Sequence, residues 1–418
     1  MGFQLSLAGL RPKERAVLLT GTGFVVAGIV VRLARRRRIV APDVLCGDDD
    51  SSLAIAVRAM ATMRGFSPHA AMLCGGLVST AWLGLRMPFS TGGLRGGHHV
   101  ETVDLPDGAA VTLSWWRAKR RAGAPIALVL PGMGNSSETG FVRRLLNELD
   151  AAGLDATALD YRGCGTAAGL GLLTSLHSAK SWTDVEAVLK HLEVTEPNST
   201  VYIVGHSLGG CLALSVLGRS CPANVGAACI ISAPTDFVAG MKRINGTGPG
   251  SRLVSFLLTL PTKFMLFSSA SLRRQLSKRG VDVRGALWAT SLKQVEEATV
   301  CKLEGYATQR EYYDENNPLH HMRNIRVPTL LLHAEDDCVV LAPDLATMAG
   351  NPNLVCALVP VGGHLTFLER DGACWAERVA VEFLALSAGH DASPRHSVEP
   401  TTPRLQRGSS LRGQIIGF

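Results

Sequence analysis

The segment Gly205–Gly209 (Gly-His-Ser-Leu-Gly) places a serine between two glycines, where an apolar β-branched run gives way to a Leu/Ala stretch. The run Val201–Val204 is typical of a buried strand, and Leu208–Leu217 is typical of a helix. A serine nucleophile on a sharp strand-to-helix turn needs glycines beside it, because larger side chains would clash there. We therefore predict that Ser207 is a reactive nucleophile rather than an ordinary serine in a glycine-rich turn.

The partners that a nucleophilic serine requires are a base to accept its proton and a carboxylate to hold that base in one tautomer. Asp336 and Asp337 follow the apolar run Thr329–His333. His364 follows the apolar run Leu354–Val361. Both loops lie at the carboxyl ends of predicted strands, where ligands meet a parallel sheet. We predict His364 as the base and Asp337 as the acid, because the two valines that follow are expected to pack and to leave Asp337 at the turn; Asp336 is the alternative acid.

Acyl chemistry also requires hydrogen-bond donors for the developing oxyanion. Gly132–Gly134 follows the predicted strand Ile126–Leu130, and Leu208 begins the helix after the turn. We expect the backbone N–H groups of Met133 and Leu208 to be these donors. The glycine loop lacks the Lys-Ser/Thr pair of a phosphate-binding loop and the longer Gly-x-Gly-x-x-Gly spacing, which disfavours a nucleotide site.

The elements that must position these residues alternate between strand and helix. In chain order they are the strand Ile126–Leu130, the helix Phe141–Ala152, the strand Asp155–Tyr161, the helix Trp182–Leu192, the strand Val201–Val204 and the strand Ala227–Ile231. This alternation predicts an α/β fold with a mostly parallel central sheet and flanking helices. The segments His99–Leu105 and Ala110–Trp116, joined by Pro-Asp-Gly, predict a preceding β-hairpin.

The alternation is interrupted over residues 234–327, which we interpret as an inserted helical cap over the site. Three partly apolar segments in this range are predicted to be helical: Ser251–Lys263, Leu272–Lys278 and Trp288–Glu304. His206, beside the nucleophile, is expected to support the turn rather than act as a second base. The remaining histidines, including the pair His320–His321, are expected at the surface or in the cap.

Composition excludes several classes of protein. Of the 418 residues, 46% are hydrophobic and 18% are charged, as in a folded protein with a large core. The net charge is +7, but no basic stripe with interleaved aromatic residues and no zinc-binding spacing occurs, so nucleic-acid binding is not predicted. Ten scattered cysteines suit reduced thiols in a domain that faces the cytosol. The proposed chemistry needs no metal and no organic cofactor, and nothing in the sequence indicates the oligomeric state.

The ends of the chain differ from its middle. Ala16–Val31 carries no charge and lies between Arg15 and Arg32, which predicts a single membrane anchor within residues 1–38. The heavier basic cluster on its C-terminal side favours a cytosolic catalytic domain, on the endoplasmic reticulum or a mitochondrion. Residues 39–98 are predicted as a linker and lead-in, residues 99–387 as the main domain, and residues 388–418 as a disordered basic tail.

Several motifs occur together in a fixed order: LPGMGNSSETGFVRRL, DYRGCG, VGHSLGG, GYATQREYYDENN, AEDD and GGHLTFLE. The chain from Phe66 to Leu386 resembles the α/β-hydrolase superfamily. Within it, the chain resembles the subfamily of bacterial YheT-type esterases, plant embryogenesis-associated proteins, yeast medium-chain ethyl-ester synthases and animal membrane-anchored monoacylglycerol lipases and phospholipases. The loop Arg162–Gly165 and the segment around Tyr312 and Tyr313 are the parts specific to that subfamily.

The resemblance implies an α/β-hydrolase fold, with Ser207 as nucleophile, Asp337 as acid and His364 as base. It also implies an N-terminal anchor, which is common among the eukaryotic members of the subfamily. Two positions depart from the subfamily. Leu77 stands where a histidine is usual, and Asp160 stands where asparagine is common. Neither departure touches the triad, so both bear on the pocket rather than on hydrolysis.

The predicted function is hydrolysis of lipid carboxylic esters, such as monoacylglycerols, phospholipids or medium-chain acyl esters, through an acyl-enzyme. The apolar cap segment Leu253–Phe267 either lines an acyl tunnel or dips into a membrane interface, and it can also be simple cap core. One alternative is an alcohol O-acyltransferase, because His99 and Asp104 match the loose H-x4-D pattern of acyltransferase relatives. A lesser alternative is a non-catalytic membrane receptor or scaffold.

Overall fold

One large sheet organises the computed structural model, which describes residues 39–69, 72, 75–80, 99–116, 122–170, 175–268 and 270–389. The strands are β1 (Asp43–Cys46), β2 (His99–Asp104), β3 (Ala110–Trp115), β4 (Ile126–Leu130), β5 (Asp155–Asp160), β6 (Val201–His206), β7 (Val225–Ile231), β8 (Thr329–Ala334) and β9 (Leu354–Val359). Their order in the sheet is β1-β9-β8-β7-β6-β4-β5-β3-β2. The six central strands, β9, β8, β7, β6, β4 and β5, run parallel to one another. At the edges, β1 pairs antiparallel with β9, β3 pairs antiparallel with β5, and β2 pairs antiparallel with β3. The predicted hairpin and mostly parallel sheet are confirmed.

Helices cover both faces of the sheet. They are α1 (Ser52–Ala59), α2 (Gly140–Ala151), α3 (Trp182–Thr195), α4 (Leu208–Arg219), α5 (Phe237–Ile244), α6 (Pro249–Leu257), α7 (Leu260–Ser268), α8 (Ala270–Lys278), α9 (Val283–Trp288), α10 (Leu292–Ala298), α11 (Val300–Glu304), α12 (Gln309–Glu315), α13 (Leu345–Met348) and α14 (Trp375–Ser387). Strand β6 shows the effect of two covered faces. Val201 and Ile203 belong to one core, and Tyr202 and Val204 belong to the other. Because both faces are buried, the strand is a continuous apolar run rather than an alternating one.

Helices α5–α12 lie between β7 and β8, and two of the predicted cap helices are interrupted. Ser251–Lys263 is not one helix, since α6 ends at Leu257 and α7 begins at Leu260. Pro261 lacks the backbone N–H that a helix interior needs, so it can occupy only the first turn of α7.

Trp288–Glu304 is likewise not one helix. Helix α9 ends at Trp288, and α10 begins after Ser291, whose hydroxyl accepts a hydrogen bond from the backbone of Gln294. Thr299, with φ −117° and ψ −87°, separates α10 from α11. The apolar spacing of this segment gave no signal of these local caps.

The segment that the sequence predicted as a linker, residues 39–98, contributes to the fold in its described part. Strand β1 extends the sheet by pairing with β9, and Phe66 is fully buried. Further on, the Thr80 hydroxyl accepts a hydrogen bond of 2.9 Å from the backbone N–H of His364. This part of the chain is therefore packed against the loop of the predicted base.

Two predictions fall on residues that the structure does not describe: the anchor at Ala16–Val31, and the tail apart from its first residues. Within the described ranges, no single helix is both long and apolar enough to cross a membrane. The pair Pro249–Phe267 and Ala270–Lys278, bent by 99°, passes the same test of length and composition only when taken together.

Candidate active site

Ser207 lies at the junction of β6 and α4 in a backbone conformation that few non-glycine residues adopt. Its φ is 50° and its ψ is −119°, and its N–H donates a hydrogen bond of 2.9 Å to the carbonyl of Ile231. The next turn leaves no space for a side chain at Gly209, where a Cβ would lie 2.2 Å from the carbonyl oxygen of Leu130. Strain held at one residue by its surroundings is characteristic of functional sites.

His364 connects Ser207 to Asp337. Its Nε2 lies 3.0 Å from Ser207 Oγ, and its Nδ1 lies 3.0 Å from Asp337 Oδ2. The second carboxylate oxygen of Asp337 accepts hydrogen bonds from the backbone N–H groups of Val339 at 2.8 Å and Val340 at 3.0 Å. Burial acts to raise the pKa of Asp337, but the nearby His364 and these hydrogen bonds outweigh it and hold the pKa below its usual value. The three residues that the sequence singled out thus lie in one hydrogen-bonded chain.

Asp336 faces a different set of groups. Its Oδ1 accepts the backbone N–H groups of Gly362 and Gly363, each at 2.8 Å. Its Oδ2 is buried without a hydrogen-bond partner in the part of the chain that is described, and burial raises the pKa of this carboxyl. The loop fits closely, because a Cβ on Gly76 would lie 1.6 Å from the carbonyl oxygen of Asp336. Asp336 therefore braces the loop before His364 and does not contact the imidazole.

The predicted oxyanion donors lie on either side of the nucleophile. Leu208 follows Ser207 as the first residue of α4, and a Cβ on Gly132 would lie 3.1 Å from the Cβ of Ser207. Met133 and Leu208 line the same cavity as Ser207. Neither backbone N–H donates a hydrogen bond to another described residue, so both remain available to a bound oxyanion.

The cavity beside Ser207 has about 860 Å³ of empty space, the open solvent at its mouth included, and is mainly apolar. Its apolar lining includes Leu208, Phe237, Met241, Ile244, Leu258, Leu292, Val295 and Val340. Glu296 is the one carboxyl among its described lining residues, and it accepts hydrogen bonds from Gln309 at 2.5 Å and from the Tyr313 hydroxyl at 2.9 Å. Burial raises the pKa of Glu296 to about 7, although these two hydrogen bonds act to lower it. An acyl chain fits such a lining better than a charged group does.

A second cavity, with about 1530 Å³ of empty space including the open solvent at its mouth, adjoins the first. Met133, His177 and Thr262 line both of them. The second cavity is bounded by the glycine loops at Gly134 and Gly163–Gly165 and by side chains of α7 and α8, including Phe264, Met265, Leu272 and Gln275.

Asp160, which the sequence marked only as a departure from the subfamily, joins two loops of the fold. It is fully buried, and its carboxylate accepts the N–H and the hydroxyl of Ser137, at 2.6 and 2.7 Å, and those of Thr166, at 2.9 and 2.7 Å. The Ser114 hydroxyl adds a contact of 3.3 Å. These bonds tie the loop that carries Met133 to the loop after β5. The signal in the sequence was a charged residue, Asp160, near the end of an apolar run that was predicted to be a buried strand.

The histidines outside the triad have separate surroundings. His206 packs edge-on against Phe141, and burial, assisted by Arg144, lowers its pKa to about 3. The expectation that the remaining histidines lie at the surface or in the cap is wrong for two of them. His333 is fully buried in β8, and burial lowers its pKa to about 4. The ring nitrogens of His177 are buried, and its ring stacks on Tyr161 with 3.7 Å between ring centroids.

The pair His99 and Asp104 lies far from this site. Both are exposed on β2, the edge strand, which is separated from β6 by β3, β5 and β4. The structure therefore does not bring the H-x4-D pattern to Ser207. Among the described residues, no group of three or more His, Cys, Asp or Glu side chains is arranged to hold a metal ion.

A serine on a strand-turn-helix junction, at the carboxyl edge of a mostly parallel sheet, is the arrangement that defines the α/β-hydrolase class. Residues 127–377 match the Alpha/beta hydrolase family, and the chain belongs to that family. Phospholipase ABHD3 of Mus musculus is 26% identical to it over 297 residues, which cover 68% of this chain and 70% of the relative. Monoacylglycerol lipase ABHD2 of Danio rerio is 27% identical over 299 residues, which cover 67% of this chain and 68% of the relative. Among solved structures, the Pyrococcus furiosus esterase Pf2001 matches with a TM-score of 0.46 and 16% identity, over 71% of this chain and 95% of that one.

Proposed function

We propose that this protein is a serine hydrolase that cleaves carboxylic esters of lipids through Ser207, His364 and Asp337. The observation that carries the proposal is the 3.0 Å separation between His364 Nε2 and Ser207 Oγ, because a base must lie within hydrogen-bonding reach of the proton it removes. Membership of the α/β-hydrolase family and the similarity to a phospholipase and a monoacylglycerol lipase support the reaction class.

In the proposed reaction, His364 takes the proton of Ser207 as the serine oxygen attacks the ester carbonyl. The backbone N–H groups of Met133 and Leu208 stabilise the oxyanion that forms. His364 then gives the proton to the departing alcohol and leaves an acyl-enzyme, which water hydrolyses by the same steps. Asp337 accepts the Nδ1–H of His364 throughout and stabilises the imidazolium that forms in each step.

The substrate class follows from the cavities. The apolar lining beside Ser207 favours an acyl chain, and the adjoining cavity, reached past Met133 and Thr262, leaves space for the alcohol half of the ester. Monoacylglycerols, phospholipids and medium-chain acyl esters all meet this description. The membrane anchor within residues 1–38 belongs to the same proposal, since it would hold the site beside the bilayer in which such esters dissolve.

A fluorophosphonate probe and an ester assay together test the proposal. The wild-type chain should react covalently with the probe and release fatty acid from monoacylglycerol, whereas Ser207→Ala should do neither. Ser220→Ala is the matched control, because Ser220 is an exposed serine at the end of α4. A wild-type chain that neither labels nor turns over an ester would favour a non-catalytic receptor or scaffold instead. Acyl-ester formation exceeding fatty-acid release when glycerol or ethanol is supplied would favour the acyltransferase.

A further inference from the structure

The cap carries the large exposed aromatic side chains of the described residues. Phe264 is 74% exposed, Phe267 and Trp288 are each 79% exposed, and Phe256 is 38% exposed. Phe264 and Phe267 are three residues apart on α7 and therefore project from the same side of that helix. Exposed aromatic side chains that lie together mark a surface that binds something, because they cost free energy in water.

Contacts between helices bring the segments that carry these side chains together. The ammonium group of Lys263, on α7, lies 5.1 Å from the ring centroid of Phe256, on α6. The same ammonium group donates a hydrogen bond of 2.5 Å to the carbonyl of Ala289, the residue after Trp288. Lys263 therefore joins α6, α7 and the end of α9. We refer to the exposed side chains of α6–α9 as the cap surface.

The cap surface is strongly basic. Residues 249–288 contain seven Lys and Arg residues and one acidic residue, Asp282. That carboxylate caps α9 by accepting the backbone N–H of Gly285 at 2.8 Å. The exposed basic residues are Arg252, Arg274, Lys278, Arg279 and Arg284. Exposed aromatic and leucine side chains among Lys and Arg are the composition of an interfacial surface that binds anionic lipids.

The cap surface also borders the route to the nucleophile. Phe264 is both exposed to solvent and part of the wall of the second cavity. That cavity shares Met133 and Thr262 with the cavity of Ser207. A lipid that left a bilayer beside Phe264 would therefore enter a cavity that borders the cavity of Ser207.

We propose that the cap surface docks on a lipid bilayer that carries anionic head groups, with Phe264, Phe267 and Trp288 inserted at the level of the head groups. The docking itself is independent of catalysis; only the delivery of esters through the second cavity rests on the proposed function. The N-terminal anchor and the cap surface would then hold the domain in one orientation, with the second cavity facing the membrane.

Tryptophan quenching in the full-length chain tests the docking, because it reports contact of the cap even if the N-terminus already holds the protein on the vesicle. The probes are two kinds of vesicle whose lipids have brominated acyl chains. The anionic vesicles contain phosphatidylserine, and the neutral vesicles contain phosphatidylcholine alone. Subtracting the signal of Trp288→Phe isolates the quenching of Trp288. We expect quenching of Trp288 by the anionic vesicles, and less of it by the neutral vesicles or at high salt.

Two double variants test the two parts of the surface. Phe264→Ser with Phe267→Ser should lower the ratio of docked to undocked cap by about tenfold or more, since both rings lose their contact with lipid. Arg274→Gln with Lys278→Gln should lower the ratio on anionic vesicles only. Val194→Ser, at a 79% exposed position at the end of α3, is the matched control and should quench like the wild type.

Equal quenching in the wild type and in Trp288→Phe would overturn the proposal. Undiminished quenching in the double variant Phe264→Ser with Phe267→Ser would also overturn it, provided that the unfolding temperature of that variant is unchanged. Docking of a protein instead of lipid on this surface would give the first of these results. If the wild-type chain shows the expected quenching but fails to react with the fluorophosphonate, the docking is supported and the proposed hydrolase activity is contradicted.

Discussion

Asp336 and Asp337 are neighbours in the chain whose carboxylates act on different parts of the site. The carboxylate of Asp337 contacts His364 Nδ1 at 3.0 Å, whereas that of Asp336 accepts the N–H groups of Gly362 and Gly363. One aspartate therefore orients the imidazole, and the other shapes the loop that carries it. A chain with two consecutive aspartates offers a matched pair of substitutions with opposite expected results.

Asp337→Asn should lower kcat by roughly 10⁴-fold, because an amide at this position stabilises the wrong tautomer of His364 and no longer stabilises its cation. Asp336→Asn should keep kcat close to that of the wild type, since its side-chain oxygen can still accept both glycine N–H groups. Steady-state kinetics of the two purified variants on one monoacylglycerol measure the contrast. The reverse order of the two losses would make Asp336 the acid.

The dependence of kcat/KM on pH should show a single ionisation on the acid side. The lowered pKa of Asp337 keeps that carboxylate charged while the pH falls through the range in which a histidine base takes up its proton. Only one proton is then added, and the logarithm of kcat/KM should rise with pH with a slope of about one. A slope near two, measured with an uncharged ester, would show that a second group must also lose a proton.

Glu296→Gln should stabilise the protein at alkaline pH and have little effect at acid pH. Burial raises the pKa of Glu296 to about 7 from an ordinary 4.5, so its stabilising contribution is complete below pH 4.5 and is lost as the pH rises through 7. Glutamine can accept from Gln309 and donate to Tyr313, and it avoids a cost of about 3 kcal/mol above that pH.

Unfolding midpoints of the wild type and Glu296→Gln at about pH 5 and about pH 8 measure this difference. Glu297→Gln, at the neighbouring and less buried position, is the control for loss of a negative charge. An equal gain in stability at both pH values would mean that Glu296 does not titrate in this range.

Asp160→Asn should destabilise the protein by about 1–3 kcal/mol. One carboxylate oxygen of Asp160 accepts the backbone N–H of Ser137, and the other accepts that of Thr166. In either orientation, the side-chain amide of the asparagine variant would therefore place its NH₂ group against one of these N–H donors. Denaturant unfolding measures the loss, with Asp104→Asn on the exposed edge strand as the charge control. An unchanged midpoint would show that the two loops do not depend on this carboxylate, and that the asparagine common in similar sequences fits here equally well.

Much of the fold was predictable because its signals are local. The apolar runs of β4, β6, β8 and β9, and the glycines around Ser207, follow from short-range sterics and burial on both faces. Parallel strands bring their carboxyl ends to one edge, so Ser207, Asp337 and His364 could be placed together from chain order alone.

What the sequence could not predict depends on pairings between distant segments. No local pattern indicates that β1 adds to β9, or that Thr80 reaches the backbone of His364. The surroundings of Asp160 come from two loops and from strand β3, and the burial of His333 and of the His177 ring nitrogens depends on packing rather than on neighbours in sequence. Two of the three predicted cap helices were wrong because capping at Ser291 and the proline at Pro261 outweigh a continuous apolar spacing, whereas the predicted Leu272–Lys278 lies within an observed helix.

The antiparallel pairing of β1 with β9 determines which proteolytic cuts in this part of the chain leave the hydrolase domain whole. A protease that cut before Asp43 would free a domain whose sheet is whole. A cut between Cys46 and Thr80 would strip the edge from the strand that leads to His364 and remove the hydroxyl that holds the backbone of His364. Proteolysis would thus yield either an intact hydrolase or one with a loosened base, according to the side of β1 on which the peptide bond is broken.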